Sequence, residues 1–102
     1  MKALLAAALA AVSLALAPAA HATPNDDMFY AAIDHFGIPI SHREARVEAN
    51  AACTFLGEGH SVGALMVNLM HDHPNWSGAD MEHFAGAAIA AYCPQYKPNV
   101  SP

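Results

Sequence analysis

Residues 77–94 read SGADMEHFAGAAIAAYCP, and this stretch decides the fold. Ser77 followed three residues later by Asp80 is a helix-start pattern, because each side chain can bond the backbone N–H of the other. Apolar residues then recur at spacings of three and four, which places them on one face of a helix. They are Met81, Phe84, Ala85, Ala88 and Tyr92. The segment ends at Cys93-Pro94, since proline cannot continue a helix.

Three further segments upstream carry helical patterns. The first runs from Pro24 to Phe36, the second from Ser41 to about Leu56, and the third from Ser61 to the residue before Pro74. Alanine is abundant, β-branched residues are few, and no segment alternates between polar and apolar residues. The connections are short, so neighbouring helices must pack against each other. The sequence predicts an all-α fold, a small bundle of about four short helices.

Local signals mark where these segments begin and end. Ser41 and Ser61 stand at the starts of the second and third segments, and Thr23 can cap the first. A hydroxyl oxygen suits these positions because it accepts a bond from an unpaired N–H of the first turn. Gly37 and the run Gly57-Glu58-Gly59 suit helix ends, since glycine adopts positive φ without strain.

The apolar stripes predict which side chains form the core. The first segment carries Phe29, Ile33 and Phe36. The second has two adjacent apolar faces, one of Val47, Ala51 and Phe55 and the other of Ala45, Ala49, Ala52 and Leu56. The third carries Val62, Leu65, Met66, Leu69 and Met70.

The first 22 residues have the parts of a secretory signal peptide. Met1-Lys2 is a positive start, residues 3–17 are an apolar run, and Ala20-His21-Ala22 is a small-x-small cleavage site. The apolar run is shorter than the roughly 20 residues of a membrane-spanning helix. We therefore expect export by the general secretory pathway, cleavage after Ala22 and no stable membrane insertion afterwards.

This division leaves one helical secreted domain over residues 23–94 and a flexible tail over residues 95–102, which contains two prolines. A chain of 102 residues is too short for a multidomain enzyme or a nucleotide-binding α/β fold. Four Lys and Arg stand against nine Asp and Glu, a balance that argues against nucleic acid as a partner. Six of the seven histidines follow the cleavage site, so acidification should bring the negative net charge toward zero and alter self-association or partner binding.

The two cysteines, Cys53 and Cys93, are predicted to form a disulfide, as expected of a small exported domain. Two free thiols binding a metal or acting as a redox pair are the alternative, but the spacing lacks the CxxC pattern of such pairs. Closing a loop of about 40 residues stabilises a fold by roughly 3–4 kcal/mol.

The chain resembles a family of small secreted actinobacterial, mainly mycobacterial, proteins called domain of unknown function 732. The similarity covers nearly all of residues 28–96, although valine is usual where this chain has Ala52. It is carried by Phe29-Tyr30, Phe36-Gly37-Ile38, Ala49 to Cys53, Leu56, Gly59, Val62-Gly63-Ala64-Leu65 and Ala90-Ala91-Tyr92-Cys93-Pro94. The resemblance implies a signal peptide, a helical domain and cysteines at these places. It implies no catalytic or binding residue, because the family has no assigned activity.

The cluster His71-Asp72-His73 is the most suggestive metal-binding pattern, since imidazole binds zinc and copper. Residues two apart point to different sides of a helix, so both imidazoles converge only if the helix ends early. His83, or His60 at the other end of the third segment, would have to add a ligand. The alternative is a polar helix end, where histidine suits the negative end of the helix dipole.

A haem or lipid pocket is a second possibility, with walls formed by Met66, Met70, Phe84 and Tyr92. Methionine and aromatic residues at helical spacing more often form ordinary core, and so small a domain has little spare volume. We therefore expect no cofactor.

Catalysis finds little support, because three of the four serines after the predicted cleavage site stand at helix starts and none lies in a GxSxG motif. Asn75-Trp76-Ser77 matches a glycosylation sequon. Trp76 is expected to pack just before the fourth helix, the alternative being an exposed anchor for a partner. We expect a non-enzymatic binding or interaction module of the cell envelope or extracellular space, with an unidentified protein or envelope partner. The alternative is a carrier of a metal ion or small apolar ligand.

Overall fold

The computed structural model describes residues 24–97. Within them the chain forms helices and no strand, which confirms the all-α prediction. The helices are α1 (Pro24–Phe36), α2 (His42–Gly57), α3 (Val62–Asp72), α4 (Gly78–Tyr92) and a 3-10 helix (Pro94–Tyr96). The predicted signal peptide, the Thr23 cap and residues 98–102 of the predicted tail lie outside the described residues.

Serine caps begin three of the helices, as the sequence predicts. The hydroxyls of Ser41, Ser61 and Ser77 each accept a bond from the backbone N–H three residues later, at 3.2, 3.0 and 3.0 Å. At Ser77 the bond is reciprocated, because the Asp80 carboxylate accepts from the Ser77 N–H at 3.1 Å. Such a cap contributes about 1 kcal/mol. These three serines therefore have a structural role.

Two glycines turn the chain between helices. Gly37 after α1 has φ 63° and Gly59 after α2 has φ 98°, conformations that L side chains rarely adopt. The predicted breaks at these positions are confirmed.

The helix α4 lies at the centre of the bundle and packs against α1, α2, α3 and the 3-10 helix. It takes this place because apolar residues occupy most of its surface rather than a single stripe. Its buried residues are Phe84, Ala85, Ala88, Ile89 and Ala91. Small side chains on both helices let α2 approach closely, and the buried face of α2 consists of Ala45, Ala49, Ala52 and Leu56.

Some predicted core positions lie at the surface instead. Val47, on the other predicted face of α2, is 66% exposed, since the alanine-rich face lets α2 approach α4 more closely. Phe36 and Met70, which end their stripes in α1 and α3, are 42% and 53% exposed. Both lie in the last turn of a helix, where the chain is leaving the core.

The predicted disulfide joins Cys53 of α2 to Cys93, the residue after α4, with a Cα–Cα distance of 5.8 Å. It connects the second helix to the end of the central one. Among residues 24–97, no helix has both the length and the apolar character needed to cross a membrane.

The single tryptophan belongs to the core. Trp76 is 5% exposed, and its ring centroid lies 5.4 Å from that of Phe84 in α4. Its indole N–H is buried and meets no acceptor among the described residues. Packing just before α4 is therefore the arrangement the structure shows, rather than an exposed anchor.

Candidate functional site

An apolar groove of about 790 Å³ opens between α3 and α4. Its two walls are helical faces, and the 3-10 helix region after α4 closes one end. The lining residues are Val62, Gly63 and Met66 of α3, Glu82, Ala85, Gly86, Ile89 and Ala90 of α4, and Pro94 and Lys97. The α4 members recur at spacings of three and four, which makes them one continuous helical face.

Small residues keep the groove open. Gly86 and Ala90 place no bulk on the exposed side of α4, and a Cβ added at Gly86 would meet no atom within 4 Å. The buried Ala85 and Ile89 form the apolar floor. Opposite them, Met66 is half-buried and extends along α3. The groove therefore has the apolar lining and size of a small-molecule site, for which about 300–1,000 Å³ is typical.

The ionisable side chains of the lining stand at its two ends. Glu82 lies in the second turn of α4, and Lys97 follows the 3-10 helix beyond the other end. From Glu82 to Ala90 the helix rises about 12 Å. Everything between the two charges is apolar, so the groove is suited to a molecule with a long apolar part.

The residues predicted to wall a haem or lipid pocket do not share one cavity. Met66 lines the groove, whereas Phe84 is fully buried in the core and Met70 is exposed. Tyr92 takes part in a different arrangement, a polar cluster with Arg46 and the buried Asp26. The groove itself was not predicted, because it depends on how far apart α3 and α4 stand.

The polar cluster around the buried Asp26 joins three helices. Asp26 of α1 is 2% exposed and accepts a hydrogen bond from the Tyr92 hydroxyl of α4 at 2.5 Å. The Arg46 Nε of α2 lies 3.3 Å from the same carboxylate oxygen. Asp26 lies in the first turn of α1, where an acidic side chain usually stays in solvent, yet here it is buried. Asp26 shares the helical face of Phe29 and Ile33, a spacing that could have indicated its burial.

The cluster changes the ionisation of Tyr92. Burial, then the hydrogen bond to Asp26 and the negative charge of that side chain, raise the pKa of the Tyr92 phenol well above its ordinary value of 10.0. A raised pKa means that the folded state retains this proton when the unfolded state has lost it. The stability that the proton contributes is therefore complete below about pH 10 and is lost as the pH rises further.

Replacing Tyr92 with phenylalanine should reveal how the ionisation of Tyr92 affects stability. At pH 7 we expect Tyr92→Phe to lower the free energy of unfolding by about 1–3 kcal/mol, because a hydrogen bond to a charged group is lost. Above pH 10 the difference between wild type and variant should shrink, since only the wild type loses stability through Tyr92. Urea unfolding followed by circular dichroism between pH 7 and pH 11 measures both effects.

The matched control is Tyr96→Phe, which removes a hydroxyl from the 3-10 helix and leaves the Asp26–Tyr92 bond intact. This variant should lose stability above pH 10 as the wild type does. A constant difference in the free energy of unfolding between wild type and Tyr92→Phe up to pH 11 would contradict the raised pKa of Tyr92.

The histidines mostly cover aromatic rings. His42 stacks on Tyr30, His60 on Phe55, His73 on Trp76 and His83 on Phe36, with centroid distances of 4.5, 4.0, 3.8 and 3.8 Å. The ring of His35 meets the ring of Phe36 edge-on, with 5.0 Å between the two centroids. Two of these pairs, His42 with Tyr30 and His83 with Phe36, join different helices, so these rings help to seal the junctions of the bundle.

Two histidines also contact carboxylates. The Nε2 atoms of His42 and His73 lie 2.7 Å from oxygens of Asp34 and Glu48, respectively. Glu48 is half-buried beside His73. The expected response of the surface charge to acidification stays a prediction.

The three residues predicted as metal ligands are not brought together. His71 is exposed, His73 bonds Glu48, and His83 stacks on Phe36 on another helix. Residues 24–97 hold no group of three or more His, Cys, Asp or Glu side chains arranged to bind a metal ion. The metal prediction gains no support from this part of the chain.

The fold and the groove define a small all-helical protein closed by one disulfide. A family model described as a protein of unknown function, DUF732, matches residues 25–95. The chain belongs to this family, as its sequence resemblance implies. No solved structure matches the chain.

Two curated relatives are mycobacterial and functionally uncharacterised. One is the uncharacterized protein Mb1323c of Mycobacterium bovis, and the other is the uncharacterized protein MT1330 of Mycobacterium tuberculosis. Each is 37% identical to the chain over 94 residues, which covers 91% of this chain and 84% of the relative. Their descriptions assign no ligand or activity.

Proposed function

We propose that this protein is an extracytoplasmic binding protein that holds a small apolar molecule in the groove between α3 and α4. The observation that carries the proposal is the groove itself, about 790 Å³ in volume and lined by aliphatic and small side chains. Pockets of this size and lining are typical small-molecule sites. The disulfide and the predicted signal peptide support a place outside the cytoplasm.

Binding rather than catalysis fits the chemistry of the lining. Aliphatic side chains and glycine supply no nucleophile, and the two ionisable residues, Glu82 and Lys97, are at opposite ends. A catalytic pair would need to meet at one reacting atom. Within residues 24–97, the serines that sequence alone could offer as nucleophiles cap helices instead.

The groove favours a small ligand over the protein or envelope partner expected from the sequence. Large exposed apolar side chains within the described residues are spread over several helices: Met28, Phe36, Val47, Val67, Met70 and Tyr96. Ala85 and Ile89, by contrast, lie deep in one concave surface. Concave apolar surfaces bury most of a small ligand.

Filling the groove should abolish binding. In Gly86→Leu the new side chain starts in open space and extends into the groove, and leucine favours a helix more than glycine does. We expect this variant to melt at or above the wild-type temperature and to bind phenylnaphthylamine, a neutral apolar fluorescent probe, at least tenfold more weakly. Fluorescence titration measures the affinity, and native mass spectrometry of protein from culture medium shows any apolar ligand carried from the cell.

The control is Ala31→Leu, which adds a similar side chain on the exposed side of α1, away from the groove. It should bind the probe as the wild type does. A wild-type protein that neither carries an apolar ligand nor binds the probe would overturn the proposal, as would equal binding by Gly86→Leu.

A further inference from the structure

We propose that the ligand is a single-chain amphipathic anion, with its alkyl chain between α3 and α4 and its carboxylate beside Lys97. This inference rests on the proposed function, because it assigns a ligand class to the same groove. The observation behind it is the distribution of charge along the lining, which is apolar except for an acid at one end and a lysine at the other.

The lysine is notable in so acidic a chain. Nine Asp and Glu stand against four Lys and Arg in the whole sequence. Among residues 24–97 the cations are Arg43, Arg46 and Lys97, and Lys97 is the one that lines the groove. Arg46 is engaged by Asp26 in the polar cluster, whereas no carboxylate of the described residues pairs with Lys97. Its ammonium group is thus available to an anion that enters with an apolar chain.

The acid at the opposite end sets the direction of binding. A carboxylate head beside Glu82 would be repelled, whereas beside Lys97 it would be attracted. The exposed α4 residues that line the groove between them are Gly86 and Ala90, which present no polar side chain to a bound alkyl chain. The rise of about 12 Å from Glu82 to Ala90 leaves room for an extended chain rather than a compact ring system.

Three ligands with one chain and different heads separate the contributions of chain and charge. They are laurate, dodecanol and dodecylamine, which carry an anionic, a neutral and a cationic head on the same twelve-carbon chain. Each is titrated against the wild-type protein by displacement of phenylnaphthylamine. We expect laurate to bind about fivefold more tightly than dodecanol, the ratio expected of one partly exposed ion pair, and dodecylamine to bind most weakly.

Variants then locate the charge effect. Lys97→Gln should reduce laurate affinity to that of dodecanol and leave dodecanol unchanged, while Lys97→Arg should retain the preference. Arg43→Gln is the matched control, because it removes the same charge from the first turn of α2, away from the groove. The preference for laurate should survive in Arg43→Gln, and all three ligands should bind weakly to Gly86→Leu.

The outcomes distinguish this inference from the proposed function. Equal affinity for laurate and dodecanol, or an equal loss in Lys97→Gln and Arg43→Gln, would overturn the anionic assignment while the groove remains a binding site. If the wild type binds neither the probe nor any of the three ligands, both the anionic assignment and the proposed function are overturned.

Discussion

Removing the disulfide is expected to lower the free energy of unfolding by about 4 kcal/mol, a large share of the stability of so small a domain. The bond joins residues 40 apart, and without it the unfolded chain regains the conformational freedom of that loop. Domains of this length have total stabilities of roughly 4–11 kcal/mol. The melting temperature should therefore fall by about 15–30 °C in the double variant Cys53→Ala/Cys93→Ala.

Reduction of the wild-type protein gives the same comparison without a change of sequence. Reduced wild type and the double-alanine variant should unfold at similar urea concentrations, monitored by circular dichroism. The control is the double variant with reductant added, which should show no further change because the reductant acts only through the bond. A loss below about 1 kcal/mol in both comparisons would mean that the unfolded state is already constrained.

The helices and their ends were predictable because their signals are local. Ser41, Ser61 and Ser77 cap helices through N–H groups three residues away, so the information lies within one turn. Gly37 ends α1 through its own backbone conformation. The cysteine pairing was predictable for a different reason, since a chain with two cysteines offers one intramolecular pair.

The side chains that depend on a second helix were the ones the sequence could not place. Asp26 has the sequence context of a solvated first-turn acid, and its burial follows from Tyr92, 66 residues later. Which apolar face of α2 would be buried was decided by how closely alanines let it approach α4. No local pattern indicates which of the two apolar faces of α2 is buried, because the residues of both faces have helical spacing.

The groove also depends on a second helix, so the sequence could not place it. Gly86 and Ala90 are unremarkable within an alanine-rich helix, and their role appears only when α3 stands opposite them. The sequence pattern predicted a metal site at His71 and His73, where residues able to bind a metal cluster. The structure instead supports a candidate site where such residues are sparse.

The second large effect is expected at Phe84, the fully buried ring at the centre of the core. Its centroid lies 6.0 Å from Phe29 of α1 and 5.4 Å from Trp76 before α4, so one side chain connects the first helix to the chain entering the last. Phe84→Ala should lower the free energy of unfolding by about 3–5 kcal/mol, because it removes buried apolar surface and leaves a cavity that the surrounding rings cannot fill.

Trp76 makes the measurement direct, since it is the single tryptophan of the chain and contacts the substituted position. Urea unfolding followed by its fluorescence reports on the core itself. Because Phe84→Ala can exhaust the stability of the domain, Phe84→Leu serves as the milder variant, with an expected loss of about 1–2 kcal/mol.

Phe36→Ala is the matched control, the same chemical change at a ring that is 42% exposed. It removes the stack with His83 but opens no cavity, so the loss should stay below about 1 kcal/mol. Losses at Phe84 no larger than the loss at Phe36 would contradict the central place of this ring. A graded series, Phe84→Ala above Phe84→Leu above Phe36→Ala, is the result that burial and packing require, because each step removes less buried surface than the one before.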